Sequence, residues 1–401
     1  MALEIRFKPL GIVFLLGLIV ASSAFGIVGW TSRPEGGKTV YGDGSGEVLV
    51  LTNSATQSWL QEQAFRFNDQ HAGRIHVTVQ ESESNRAVGE ILGATARPAL
   101  WASSPAWIKP LNSAWAARHD GKALITSEDS DDNGAPSLRS PLVFVTTRKK
   151  AAYLQPLLGD KGAWVALREL SMGQRTPPWG RFHFAYADPL RTDSGFMTLG
   201  MIVSDYSARN RLTGKLEDLS RDPRFLQYLG EVDRRLVCDA ATRKSAAAAL
   251  DTLRTDPERY DVVAATESEA LDALAAQPNL VAIYPDPTCV VEQRVCRLDG
   301  ADWLTADQQA AARTFLRFLS EPESVKASVK SHFRPVAADA DGLIAETLSV
   351  FGSRGYLQTY ASVDLPPFPA ITHAAEGWRK VTPGADADLA LADTPDATAS
   401  L

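Results

Sequence analysis

The sequence is poor in the residues that most enzyme chemistry needs. Its 401 residues include three cysteines, four methionines and six histidines. No Walker A loop, HExxH or CxxC occurs, which removes P-loop nucleotide hydrolysis, zincin chemistry and dithiol redox chemistry from consideration. No cysteine or histidine spacing suggests a metal site, and no cofactor fingerprint is present. An excess of positive charge is also missing. Lys and Arg number 41 against 48 Asp and Glu, a net charge of −7, whereas a phosphate-binding surface needs a basic excess. Nucleic acid is therefore not an expected partner. Glu267 and Glu269, or Asp188 and Asp193, offer paired carboxylates, but no nucleophile, base and orienting group can be assembled around them. An enzyme is not expected.

Long charge-free runs are confined to the N-terminus. Arg6 and Lys8 precede an apolar stretch at residues 10–30, and roughly 20 such residues cross a bilayer. The basic flank places the N-terminus in the cytoplasm and the rest outside. The expectation is a single-pass anchor at residues 1–30. A cleaved signal peptide is the alternative, because Ala21, Ser22, Ser23 and Ala24 suit a peptidase. The run has no neighbouring cysteine, so a lipoprotein anchor is excluded. Both readings export the body of the chain. In an oxidising compartment, Cys289 and Cys296 bracket six residues as a disulfide-closed hairpin would. Cys238 is then left as a buried thiol, unless it bridges to one of the other two.

Residues 31–45 are rich in Gly, Ser and Pro and read as a flexible stalk. Beyond them strand and helix patterns alternate. Residues 47–52, 75–80 and 98–102 read as strands, each followed by a helical stretch. This alternation predicts an α/β fold with mostly parallel sheets. Ligands of such sheets bind at the loops leaving the carboxyl ends of the strands. Those loops carry Asn53, Ser54, Ala55 and Thr56, then Ser82, Glu83, Ser84 and Asn85, then Ser103 and Ser104. A fourth polar start lies within residues 185–199, where Thr192, Asp193 and Ser194 precede Gly195 and an apolar helix. The first turn of a helix has unpaired N–H groups and favours negative charge, so these loops together form one candidate anion-binding or polar site.

Taken together, these segments resemble a bacterial type II periplasmic solute-binding protein of the molybdate- and sulfate-binding kind. The resemblance rests on several stretches in order. They are the hydroxyl-rich opening strand and turn, Ala102-Ser103-Ser104, the strand beginning Ser140-Pro141-Leu142, and Asp188-Pro189 with Thr192 to Gly195. Asp261-Val262-Val263 leading to Glu267-Ser268, and the closing Phe333-Arg334-Pro335, complete the set. The resemblance implies two α/β lobes with a ligand in the cleft between them. Residues 46–140 with 285–345 would form lobe 1, residues 141–284 lobe 2, and residues 346–401 a tail whose end is disordered. The hinges would lie near Ser140-Pro141 and Tyr284-Pro285. By carry-over, Ser54, Thr56, Ser84, Asn85 and Ser104 face the cleft from lobe 1, and Thr192, Ser194, Gly195 and Glu267 from lobe 2. Related domains also precede von Willebrand factor A domains, and the tail around Trp378, Arg379 and Lys380 resembles the start of one, without its D-x-S-x-S metal motif.

The implied function is capture of a small polar or oxyanion ligand by a membrane-tethered protein serving an ABC-type permease or a sensor. The alternative is an exported interaction or scaffold protein that reuses the fold without transport.

Overall fold

The computed structural model describes residues 46–126, 135–160, 162–212 and 216–385. The apolar run at 10–30, the stalk at 31–45 and the chain end after 385 lie outside the described residues. Among those described, no helix is long and apolar enough to cross a membrane.

Strand β1 (Gly46–Thr52) buries Val48, Val50 and Leu51 completely. It lies between β2 (Ile75–Glu81) and β3 (Leu100–Ser103), parallel to both. Parallel neighbours require a crossover, and the helices α1 (Ser54–Gln70), α2 (Ser84–Leu92) and α3 (Pro105–Arg118) supply the first ones and the exit from β3. Helix α1 begins where it does because the Asn53 carboxamide oxygen accepts from the Thr56 N–H at 3.1 Å, a standard N-cap. It buries Trp59, Leu60, Ala64 and Phe67, the last with its ring centroid 5.1 Å from Phe315 and 5.4 Å from Phe318.

Strand β4 (Leu138–Thr147) leaves this lobe, and nine of its ten residues are buried, as expected of a strand covered on both faces. Helices α4 (Arg148–Leu158) and α5 (Ala163–Ser171) follow, then the short strand β5 (Phe184–Tyr186) and the long helix α6 (Asp193–Arg209). Next come α7 (Pro223–Val232), α8 (Ala240–Lys244), α9 (Ala246–Thr255), β6 (Val262–Thr266), α10 (Glu267–Ala276) and β7 (Leu280–Ile283). The chain returns along β8 (Val290–Arg297), antiparallel to β3, and adds α11 (Ala306–Leu319), α12 (Pro322–Lys330) and the two-residue β9 (Arg334–Pro335).

Two strands carry the chain between the lobes. The first part of β4 pairs with β8, from Leu138 opposite Gln293 to Pro141 opposite Val290. From Leu142 onward it pairs instead with β6, and from Phe144 with β7 on its other side. The crossing therefore falls at Ser140–Leu142 and at the start of β8, where the Leu142 N–H donates to the Cys289 carbonyl at 2.9 Å.

Three expectations need correction. The second sheet is not mostly parallel: β5 and β6 are parallel, but β4 lies antiparallel to both β6 and β7. The crossing strand enters from the other lobe and inserts itself between strands that all run the opposite way. Second, Cys289 and Cys296 are not bridged. They stand at the two ends of one extended strand, and seven steps of about 3.3 Å separate their Cα atoms by roughly 20 Å, three times the reach of a disulfide. Third, residues 346–385 of the expected tail are folded, while its end, after residue 385, lies outside the described residues. Helix α13 (Ala340–Leu348) joins the core formed by Val143, Ala282 and Leu280, and α14 (Phe368–Val381) packs on α6 and α7. Trp378 thus lies in a helix docked on lobe 2, where the sequence suggested the opening of a further domain.

Candidate functional site

Polar side chains from the tip of β1, α3 and β8 meet the start of α6 between the lobes, and Asp193 is at their centre. It is the first residue of α6 and is 7% exposed. Asn53, at the tip of β1, donates its Nδ2 to Asp193 Oδ2 at 2.9 Å. Gln293, in the middle of β8, donates Nε2 to the same oxygen at 2.6 Å. Trp107, in the first turn of α3, donates its indole N–H to Asp193 Oδ1 at 2.9 Å. At the start of α2, beside this cluster, the buried Ser84 hydroxyl accepts from Ser103 at 3.0 Å. Asn53 and Gln293 are tied to each other at 3.1 Å. Lobe 1 and its returning strand therefore grip the first residue of a lobe-2 helix through neutral donors.

The charge balance of this region is negative. Burial raises the Asp193 carboxyl above the ordinary carboxylate range, against the opposing effect of its hydrogen bonds. Burial also raises Glu83, to about 7; its bonds to Ser54 work the other way, while the charges of Asp193 and Glu269 add to the rise. Glu269 is raised by burial and by Asp193, although its carboxylate caps α10 through the Thr266 N–H at 3.0 Å and hydroxyl at 2.7 Å. Arg191, the nearby basic residue, is exposed and lies 3.6 Å from Asp188.

Of the residues expected at the site, Ser84 is buried at the start of α2 and bonded to Ser103, and Ser54 opens α1. Asn85 reaches across the cleft to the carbonyl of Leu190. Ser104 is buried as the residue before α3, with its carbonyl accepting from the Trp107 N–H at 2.9 Å. Thr56 is turned into its own helix start, bonded to Asn53 at 3.0 Å and to Thr52 at 2.7 Å. Thr192 caps α6 by accepting the Gly195 N–H at 3.1 Å. That N–H is thus engaged within the chain. Gly195 is required sterically, since a Cβ there would stand 2.2 Å from the Ala187 carbonyl oxygen. Ser194 is buried in the same turn.

Glu267 is occupied elsewhere. Arg334 of β9 holds it with two bonds of 2.7 Å, and Tyr284 donates to it as well. The guanidinium lies 4.8 Å from the Tyr356 ring centroid and 5.0 Å from that of Tyr360. This is a buried ion pair that welds lobe 2 to the returning chain, and it leaves Glu267 no oxygen for a solute.

Of the residues that hold Asp193, Asn53 lies in a loop of the expected site, whereas Trp107 and Gln293 were not among the expected residues. Gln293 had a legible signal. It sits between Val291 and Val295 at the period of a strand, with its side chain buried on the face those valines share, and a lone amide on a buried face needs partners.

Residues 48–334 match the family described as bacterial extracellular solute-binding protein. The chain belongs to that family. Solved structures with the same fold include the sulfate-binding protein SubI from Mycobacterium tuberculosis H37Rv, at 17% identity and TM-score 0.54, covering 84% of this chain and 98% of that one. The ferric binding protein from Campylobacter jejuni aligns at 9% identity and TM-score 0.56, covering 84% and 99%. The binding protein MotA from A. tumefaciens B6, solved with glucopine, aligns at 12% identity and TM-score 0.55, covering 84% and 100%. At these identities the likeness is one of fold. No curated protein matches the sequence. The family and the fold are those of binding proteins.

Proposed function

We infer that this is an extracytoplasmic solute-binding protein that takes a small polar ligand between its lobes, tethered by its N-terminal segment and serving ABC-type uptake or sensing. The observation that carries this reading is the meeting of Asn53, Trp107 and Gln293 on Asp193 between the lobes. A ring of neutral donors at a helix N-terminus is an arrangement suited to an oxyanion. Here the protein's own carboxylate takes up those donors. An anionic ligand must displace Asp193 or bind it protonated, whereas a ligand offering N–H or O–H groups faces a region whose buried ionisable groups, Glu83, Asp193 and Glu269, are carboxyls. The described relatives include a sulfate binder and a glucopine complex, so the fold itself leaves this choice to the side chains, and these favour a ligand rich in hydrogen-bond donors.

Native mass spectrometry of the full chain with a mixture of amino acids, amines, sugars and oxyanions tests the reading. A one-to-one adduct that disappears in Asp193→Asn supports it. Folded protein with no adduct from any class would move the assignment to the scaffold alternative.

A further inference from the structure

The family match ends at residue 334, and the folded chain continues to residue 385. What this extension touches is unusual for an appendage. Arg334 first takes hold of it, donating to the carbonyls of Leu357 at 2.6 Å and Gln358 at 2.9 Å. The next residues lie along the hinge. The Thr288 N–H donates to Ala361 at 3.0 Å, and the Val363 N–H returns a bond to Thr288 at 2.8 Å. Thr288 is itself fully buried, with its hydroxyl on the Leu142 carbonyl at 2.6 Å. Both crossing segments are thereby tied to the extension.

The extension then reaches the cleft. Phe368, the first residue of α14, lies 5.1 Å from Trp107 of lobe 1 and 5.5 Å from Phe196 of lobe 2, ring centroid to centroid. Trp107 and Phe196 are 5.3 Å apart, so the three rings form a closed triangle. Trp107 is the same residue whose indole N–H holds Asp193. The remainder of α14 is anchored on lobe 2 through Ile371, Ala374, Ala375 and Trp378. Leu365 and Ile371 fit against α6 because Gly200 lacks a side chain; a Cβ there would stand 2.6 Å and 2.9 Å from them.

We propose that residues 357–368 form a built-in brace, fixed at the hinge by Thr288 and at the cleft by Phe368, which holds the two lobes together in the absence of solute. Separating the lobes breaks the edge contact between Phe368 and Trp107, and it exposes apolar ring surface that is otherwise buried. Without such a segment, it is the ligand's greater affinity for the closed arrangement that shifts the population toward it. In this chain part of that closure is supplied by the C-terminal segment. The inference rests on the two-lobed fold and does not depend on which solute binds.

The test is a distance measurement between spin labels on the solute-free full chain, in a Cys238→Ser background with labels at Glu62→Cys and Arg224→Cys. Both positions are exposed, one on each lobe. The expected result is one short-distance population in the parent, a second and longer population in Phe368→Ala, and an intermediate mixture in Phe368→Leu. Trp378→Phe, which weakens α14 on lobe 2 alone, lowers the melting temperature without adding the longer population. A folded Phe368→Ala with the parent distribution would overturn the brace, as would a parent already open without solute. If Phe368→Ala does not fold, Phe368→Leu decides on the same criterion. Because no ligand enters the experiment, a failure of the brace is distinct from a failure of the binding assignment.

Discussion

A single carboxylate organises the cleft, and its neighbours show how side-chain chemistry was divided between structure and site. Asp193 accepts from three neutral hydrogen-bond donors, Asn53, Trp107 and Gln293, with no basic residue among those contacts. A buried charge without a counter-charge is costly, which burial expresses as a raised carboxyl pKa. Glu267 shows the opposite solution. It is fully buried but paired with Arg334 in a bidentate bond. Breaking one partner of such a pair typically costs about 3–5 kcal/mol, so Glu267→Gln is expected to lower stability by that order in denaturant unfolding. A change near zero would show the pair to be dispensable.

Asp233 carries a pH dependence at the same scale. It is fully buried, accepts from Tyr186 at 2.7 Å and Thr382 at 2.8 Å, and is raised by burial from 3.8 to about 7. The folded state therefore binds a proton that the unfolded state releases near pH 4. This contribution is complete below the unfolded value and is lost as pH rises toward 7. Asp233→Asn should flatten the fall in melting temperature between pH 5 and pH 8. An unchanged slope in the variant would assign that fall to other groups.

The elements were largely readable from sequence, for reasons that also explain the failures. The strands at residues 47–52 and 75–80 alternate cleanly, and the structure has β1 at Gly46–Thr52 and β2 at Ile75–Glu81. Asn53 and Thr192 stand at helix starts with the side-chain bonds that N-caps make. The hairpin expected around Cys289 and Cys296 is a single strand because its partners, β3 and β4, are more than a hundred residues distant and leave no local signal. Peptide mapping under non-reducing conditions is expected to return the two cysteines unlinked, with no change in melting temperature on adding a thiol reductant. A linked peptide would contradict the strand. The α14 helix escaped notice because its Ala, Pro and Gly content resembles a tail. Its buried face, Ala370, Ile371, Ala374, Ala375 and Trp378, has the spacing of a helix lying on a core.

At the scale of the whole molecule, the two lobes could be read from the order of segments, whereas the grip between them could not. Ser84 and Asn85 were identifiable as hydroxyl and amide groups at a strand end. That Gln293, two hundred residues later, completes the same cluster depends on the path of β8 through both lobes. The expected anion site also changed character. Its donors are present, but Asp193 occupies them, and the capping bonds of Thr56, Thr192 and Gly195 consume groups that the sequence offered to a ligand. Sequence shows which residues can donate, while only the assembled cleft shows to whom.

The most direct test of the account is a thermal-shift panel run in parallel on the full chain and on Asp193→Asn, with amines, amino acids, sugars and oxyanions. A solute that binds only the folded state stabilises it by about 2.7 kcal/mol at a hundredfold excess over Kd, so a true ligand is conspicuous. The account expects a shift in the parent from one donor-rich solute, lost in Asp193→Asn, with both proteins folded in the absence of solute. A shift of the same size in both proteins would place binding away from the interlobe cleft and contradict it.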